Sequence, residues 1–166
     1  VNLTNIQANG RNVVFADAQA EVTITDDDQA TIVINEVVVN ENAGTVTLTV
    51  SLDQPVDTTI SVNFATTDQS AASITDFLFQ SGTLVFNSGE QLKTITVSLV
   101  DSDVVEIDET FLVNLSNIQT NGRNVIFADA QAEVIITDDD QATIVINDVA
   151  VDENAGTVTL TVSLDN

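Results

Sequence analysis

The chain has 166 residues, 26 of them Asp or Glu against three Lys or Arg, a formal charge of −23 at pH 7. That balance argues against nucleic acid and anionic membranes as partners, while an apolar content of 43% supplies a core and sets the chain apart from disordered acidic tails. With neither Cys nor His, there is no disulfide framework or thiolate site, and the usual general base and commonest transition-metal ligands are missing. Nothing resembles a signal peptide and no apolar run approaches the ~18 residues of a membrane span, so no membrane insertion is expected in this segment.

Residues 1–54 align without gaps on residues 113–166, and only eight positions differ: 4, 8, 14, 23, 36, 38, 40 and 54. A tandem repeat of 112 residues follows. The expected organisation is the C-terminal part of a preceding repeat over 1–28, a complete repeat over 29–140, and the N-terminal part of a following repeat over 141–166. Adjacent repeats of the same chain are therefore the first partners expected, and self-association into fibres is a further possibility.

Along the complete repeat the apolar period is two, as strands require. The predicted strands are Thr31 to Ile34, with 36–39 as a candidate continuation, then Val46 to Leu52, Ile60 to Phe64, Thr83 to Phe86, Thr94 to Leu99, Thr110 to Leu115 and Ala132 to Thr137. Asn121-Gly122, and its copy Asn9-Gly10, fit a hairpin turn because both residue types tolerate positive φ. Lys93 in LKTITVSL falls on the polar phase of its strand and reads as a surface residue. About seven short strands rich in Val, Ile and Thr predict an all-β fold, an immunoglobulin-like Greek-key sandwich.

The complete repeat holds 17 acidic and two basic residues, a net charge of −15. Ten of the 17 fall in four segments: Glu41; Asp76; Asp101, Asp103, Glu106, Asp108 and Glu109; and Asp138, Asp139 and Asp140. Walking the strands up and down an antiparallel sandwich brings all four segments to one end. So many like charges repel at neutral pH unless protonated or bridged by cations. Oxygen-only donors on irregular loops suit Ca2+, which accepts six to eight oxygens, better than Mg2+. Because Gln141 follows Asp140 with no linker, ions at this end are expected to rigidify the joint to the next repeat. Asp26, Asp27 and Asp28 would serve the joint upstream, and Glu153 is the counterpart of Glu41 in the following repeat.

DSDVVEIDE is not an EF-hand loop, since it lacks the Gly at the sixth position and flanking helices, and GGxGxDx calcium repeats are absent. With no Trp or Tyr, a carboxylate pair has no sugar platform beside it, and no enzymatic activity is expected.

The motifs ENAGTVTLTVSL, TDF followed by SGTLVFNSGEQLKTITVSLVD, VVEIDETFLVNLSN and AEVIITDDD, in this order, resemble the Calx-beta domain family over the whole complete repeat. The resemblance implies calcium held by the positions of Glu41, Asp76, Asp101, Glu106, Glu109 and Asp138 to Asp140, with a main-chain carbonyl near Val104. Two departures stand out. Ser102 replaces one of the family's consecutive acidic residues, which implies fewer ions or weaker affinity, and Phe77 stands where the family usually has Tyr. The expected function is a calcium-binding structural repeat of an extracellular or cell-surface filament, stalk or array. The alternative is a spacer or ligand-binding module of a large bacterial adhesin.

Overall fold

The computed structural model describes residues 1–165. The alternating strands assemble as two packed sheets. In chain order they are β1 (Ala30–Ile34), β2 (Val37–Asn40), β3 (Thr45–Leu52), β4 (Ile60–Asp68), β5 (Ser81–Phe86), β6 (Leu92–Ser98), β7 (Glu109–Gln119), β8 (Val125–Phe127) and β9 (Gln131–Thr137). One sheet has the order β6-β3-β1-β8, the other β2-β9-β7-β4-β5. A separate two-stranded ribbon follows, β10 (Thr143–Ile146) with β11 (Val162–Asp165). Among the described residues no helix is long and apolar enough to cross a membrane.

Period-two patterning does the packing. Val46, Leu48, Val50 and Leu52 of β3 point inward while Thr45 and Thr47 stay exposed, and the facing sheet contributes Ile60, Val62, Phe111, Val113, Val134 and Ile136. Phe77, carried on the β4–β5 loop, lies stacked on Phe111 with ring centroids 4.2 Å apart, both rings fully buried. Phe thus packs at the family's usual Tyr position.

The sandwich has nine strands rather than about seven. The predicted run from Thr31 to residue 39 splits at Asn35-Glu36: β1 pairs antiparallel with β3 in one sheet, and β2 crosses to the other to pair parallel with β9. Asn35 anchors the crossing by accepting a hydrogen bond from the Thr49 amide through its side-chain oxygen. Asn121 and Gly122 do turn with φ of 51° and 84°. They do not close a hairpin, however, because β8 leaves for the other sheet and pairs parallel with β1; the Ala30 amide is held by the Asn124 carbonyl at 3.0 Å. Lys93 lies at the surface and pairs with Glu90 at 2.6 Å.

Two poles result. β1 starts and β3 ends at a base that also holds Pro55 to Asp57 and the 121–125 turn. β2, β4, β6 and β9 end at the opposite tip, where β3 and β7 begin.

Candidate metal centre

The tip is built from four loops. After β2 the chain makes a 3-10 turn, Glu41–Ala43, capped by the Asn40 side chain, which accepts from the Asn42 amide, and closed by Gly44 at φ 72°. This short turn drives the Glu41 side chain inward, where it is 6% exposed. The loop after β4 carries Asp76, whose carboxylate accepts from the Ala72 amide (2.7 Å) and the Thr75 hydroxyl (3.1 Å). Main-chain bonds from Val100 to Asp76 and from Leu99 to Gly44 stitch three of the loops together. After β9, Asp138 accepts from the Glu106 amide at 3.1 Å, and Asp139 accepts from the Asn42 side-chain amide.

Two overlapping sets of carboxylates emerge. Oxygens of Glu41, Asp138 and Asp140 lie within 4.8 Å of one another, as do those of Glu41, Asp101 and Asp139; Glu41 belongs to both. Beside them a cavity of about 10 Å³ is lined by Glu41, Asp76, Glu106, Glu109, Asp138 and apolar neighbours including Ile136, room for about one water-sized occupant.

The electrostatics are those of crowded anions. Burial, and then the charges of Asp140 and Asp138, hold the Glu41 carboxyl above its ordinary value. Burial followed by Asp76 does the same to Glu109, and burial followed by Asp138, Asp103, Asp139 and Asp101 to Asp140. Two oxygens, Glu41 Oε1 and Asp140 Oδ2, are buried without any hydrogen-bond partner. Native proteins rarely leave such atoms unsatisfied, because each costs about 1–3 kcal/mol or more when charged. No Lys or Arg side chain makes an ion pair here, the two ion pairs among the described residues being Lys93–Glu90 and Arg123–Asp57. An acceptor-only donor set of this kind fits a hard cation such as Ca2+.

The structure gathers nine of the predicted site residues at the tip: Glu41, Asp76, Asp101, Asp103, Glu106, Glu109, Asp138, Asp139 and Asp140. Asp108 is exposed and joins neither set. Asp26, Asp27 and Asp28 lie at the other end, where Asp26 and Asp28 line a groove at the base with Asp57 and Arg123. Glu153 is exposed on its own 3-10 turn, Glu153–Ala155. Within one copy these four residues join no carboxylate set. Sequence reasoning missed Asn42, which orients Asp139, and Ile74, held at φ 89° on the Asp76 loop. The first had a signal in the ENAG turn; the second, a β-branched residue in left-handed backbone, had none.

The fold and its tip define an immunoglobulin-like sandwich with an acidic, cation-compatible end. The model of the Calx-beta domain matches residues 24–140. The chain belongs to the Calx-beta domain family. It is 43% identical over 82 residues to sodium/calcium exchanger 1 of Mus musculus, covering 49% of this chain and 8% of that protein, so it spans a small fraction of the curated relatives it matches. Among solved structures, it is similar to the apo-form Calx CBD1 domain (TM-score 0.61, 30% identity, covering 67% of this chain and 98% of that one). It is also similar to the calcium binding domain CBD12 of CALX1.1 (TM-score 0.59, 29% identity, 66% and 44%). These matches overturn the expected extracellular or cell-surface location: the relatives are sodium/calcium exchangers and Calx domains, not surface filaments or adhesins.

Proposed function

We propose that the complete repeat binds Ca2+ at its carboxylate tip, through Glu41, Asp76, Asp101, Asp103, Glu106, Glu109 and Asp138 to Asp140, and that the bound ions stiffen the joint to the following repeat. The observation that carries this reading is the pair of buried, unpartnered oxygens, Glu41 Oε1 and Asp140 Oδ2, which a cation would satisfy together. Asp140 adjoins Gln141 directly, so the ligand-bearing segment and the interdomain hinge are one stretch of chain. Tying down the first ties down the second. On this reading the repeats act structurally, as calcium-set spacers within a larger protein.

The likeness to sodium/calcium exchangers favours a second reading, in which the same tip is a calcium-responsive module governing a neighbouring part of the protein. The test of the shared step is thermal unfolding of the 166-residue chain with calcium and with excess EGTA. A ligand that binds only the folded state stabilises it by about 2.7 kcal/mol at a hundredfold excess over Kd. Small-angle scattering of a chain with two complete repeats then separates the readings: the spacer reading expects calcium to lengthen and straighten the pair. An unchanged melting point in calcium overturns both.

A further inference from the structure

Each sheet of the sandwich ends in two edge strands, and an edge strand leaves one row of main-chain N–H and C=O groups unpaired, a template for another strand. Three of the four edges are guarded. β2 has four residues bracketed by Glu36 and Glu41, β8 has only three, and β6 carries Lys93 in its ion pair with Glu90. β5 is different: six residues long, it pairs with β4 alone in a regular ladder and contains neither charge nor proline. In a chain with 26 acidic residues, residues 77–89 contain none, and neither do residues 58–67, which supply most of β4 behind it.

The register shows which groups of β5 are free. The Thr66 amide bonds to the Gln80 carbonyl at 2.9 Å. Along an antiparallel ladder the even-numbered residues of β5 therefore turn their main-chain groups toward β4, and Ser81, Thr83 and Val85 turn theirs outward. All three are exposed, Val85 at 43%, and Phe79 just before the strand is 60% exposed.

We propose that β5 pairs antiparallel with β5 of a second copy about a two-fold axis at Thr83, joining two five-stranded sheets edge to edge. Thr83 then faces the partner's Thr83, and Ser81 faces the partner's Val85. This is the register that pairs all three outward residues, each pair exchanging both of its hydrogen bonds. Thr opposite Thr is a favourable cross-strand pair, and Phe79 comes opposite the partner's Asn87 at either end of the ladder.

Charge selects a second copy as the occupant. Two chains of net charge −23 repel wherever their carboxylates meet, and the β4–β5 edge lets them touch with no charge on either side. Antiparallel pairing also sets the two molecules head against tail, so their acidic tips lie at opposite ends. Because the same strand serves on both sides, the contact is isologous and closes at two copies.

The test is analytical ultracentrifugation of the 166-residue chain in EGTA at physiological ionic strength, with the variants Thr83→Lys and Thr83→Glu. A cooperative melting transition verifies that each variant is folded. The native chain is expected to approach twice its 17.6 kDa mass with rising concentration, while each variant alone stays monomeric. An equimolar mixture of the two, in which Lys faces Glu across the axis, is expected to pair again. Because the chain has no Cys, Thr83→Cys gives an independent check: mild oxidation is expected to link it into a disulfide dimer, whereas Thr47→Cys, exposed on the inner strand β3, stays unlinked. A native chain that remains monomeric at millimolar concentration, a charged variant that associates like the native chain, a mixture that does not pair, or Thr83→Cys linking no faster than Thr47→Cys would each overturn the proposal.

Discussion

Glu41 and Asp140 approach with carboxylate oxygens within 4.8 Å, and each keeps one buried oxygen that no donor reaches. Two anions in that relation are held together by the strands behind them and not by each other. The tip therefore carries repulsion that a ligand can convert into stability.

Glu41→Gln should separate those terms. Removing the charge shared by both carboxylate sets is expected to leave the calcium-free melting point equal or higher, while cutting the calcium-induced increase to less than half. Differential scanning calorimetry with and without EGTA checks both. A large loss of stability in EGTA would mean that the charge of Glu41 is satisfied by the protein itself.

The pH dependence follows in sign. Glu41, Glu109 and Asp140 hold their protons more tightly folded than unfolded, so the native state binds more protons just above the ordinary carboxylate range, and stability rises as pH falls through that window. Below it, the lowered carboxyls of Asp53, Asp57 and Glu90 reverse the trend, since their stabilisation is lost on protonation. The calcium-free protein is expected to melt highest at the acid side of neutrality, between the window of the raised carboxyls and that of the lowered ones. With calcium the optimum should move toward neutrality, because protons compete for the same oxygens; melting curves between pH 4 and 8 test this.

Phe77→Ala removes a fully buried ring stacked on Phe111. The expected cost is about 3–5 kcal/mol, measured by urea unfolding. Because Phe77 adjoins Asp76, calcium affinity should fall as well, whereas Phe86→Ala, fully buried but on β5 toward the base, should lose comparable stability without that effect on affinity.

Gly44→Ala tests the turn that aims Glu41. Nothing lies within 4 Å of an added Cβ, so the penalty is conformational alone, about 1 kcal/mol for a left-handed φ. Arg123→Ala, by contrast, removes an exposed pair with Asp57 and should change stability by no more than about 1 kcal/mol.

Much of this was legible from period and order. Alternation along residues 46–52 gives β3 its buried face, and an up-and-down walk is enough to bring Glu41, Asp76, Asp101 and Asp138 to one pole. What escaped depends on partners distant in sequence. Nothing local tells Val37–Asn40 to change sheets, because the ladder that captures it belongs to β9, almost a hundred residues on. The three residues of β8 are too few for a period, and the Asn-Gly turn before them has the same chemistry whether or not a hairpin follows. Within the site, carboxylate types were evident, but not that Glu41 would be buried and Asp108 left in solvent.

The parallel pairing of β2 with β9 has a mechanical consequence. The chain enters the unit at the base and leaves at the tip, so tension on its two ends pulls these neighbouring strands in opposite directions along their length. The hydrogen bonds between Val37–Asn40 and Val134–Thr137 are then loaded in shear and share the force, instead of opening one after another like a zip. The unit is built to resist stretching along the one axis on which a tandem array would transmit it.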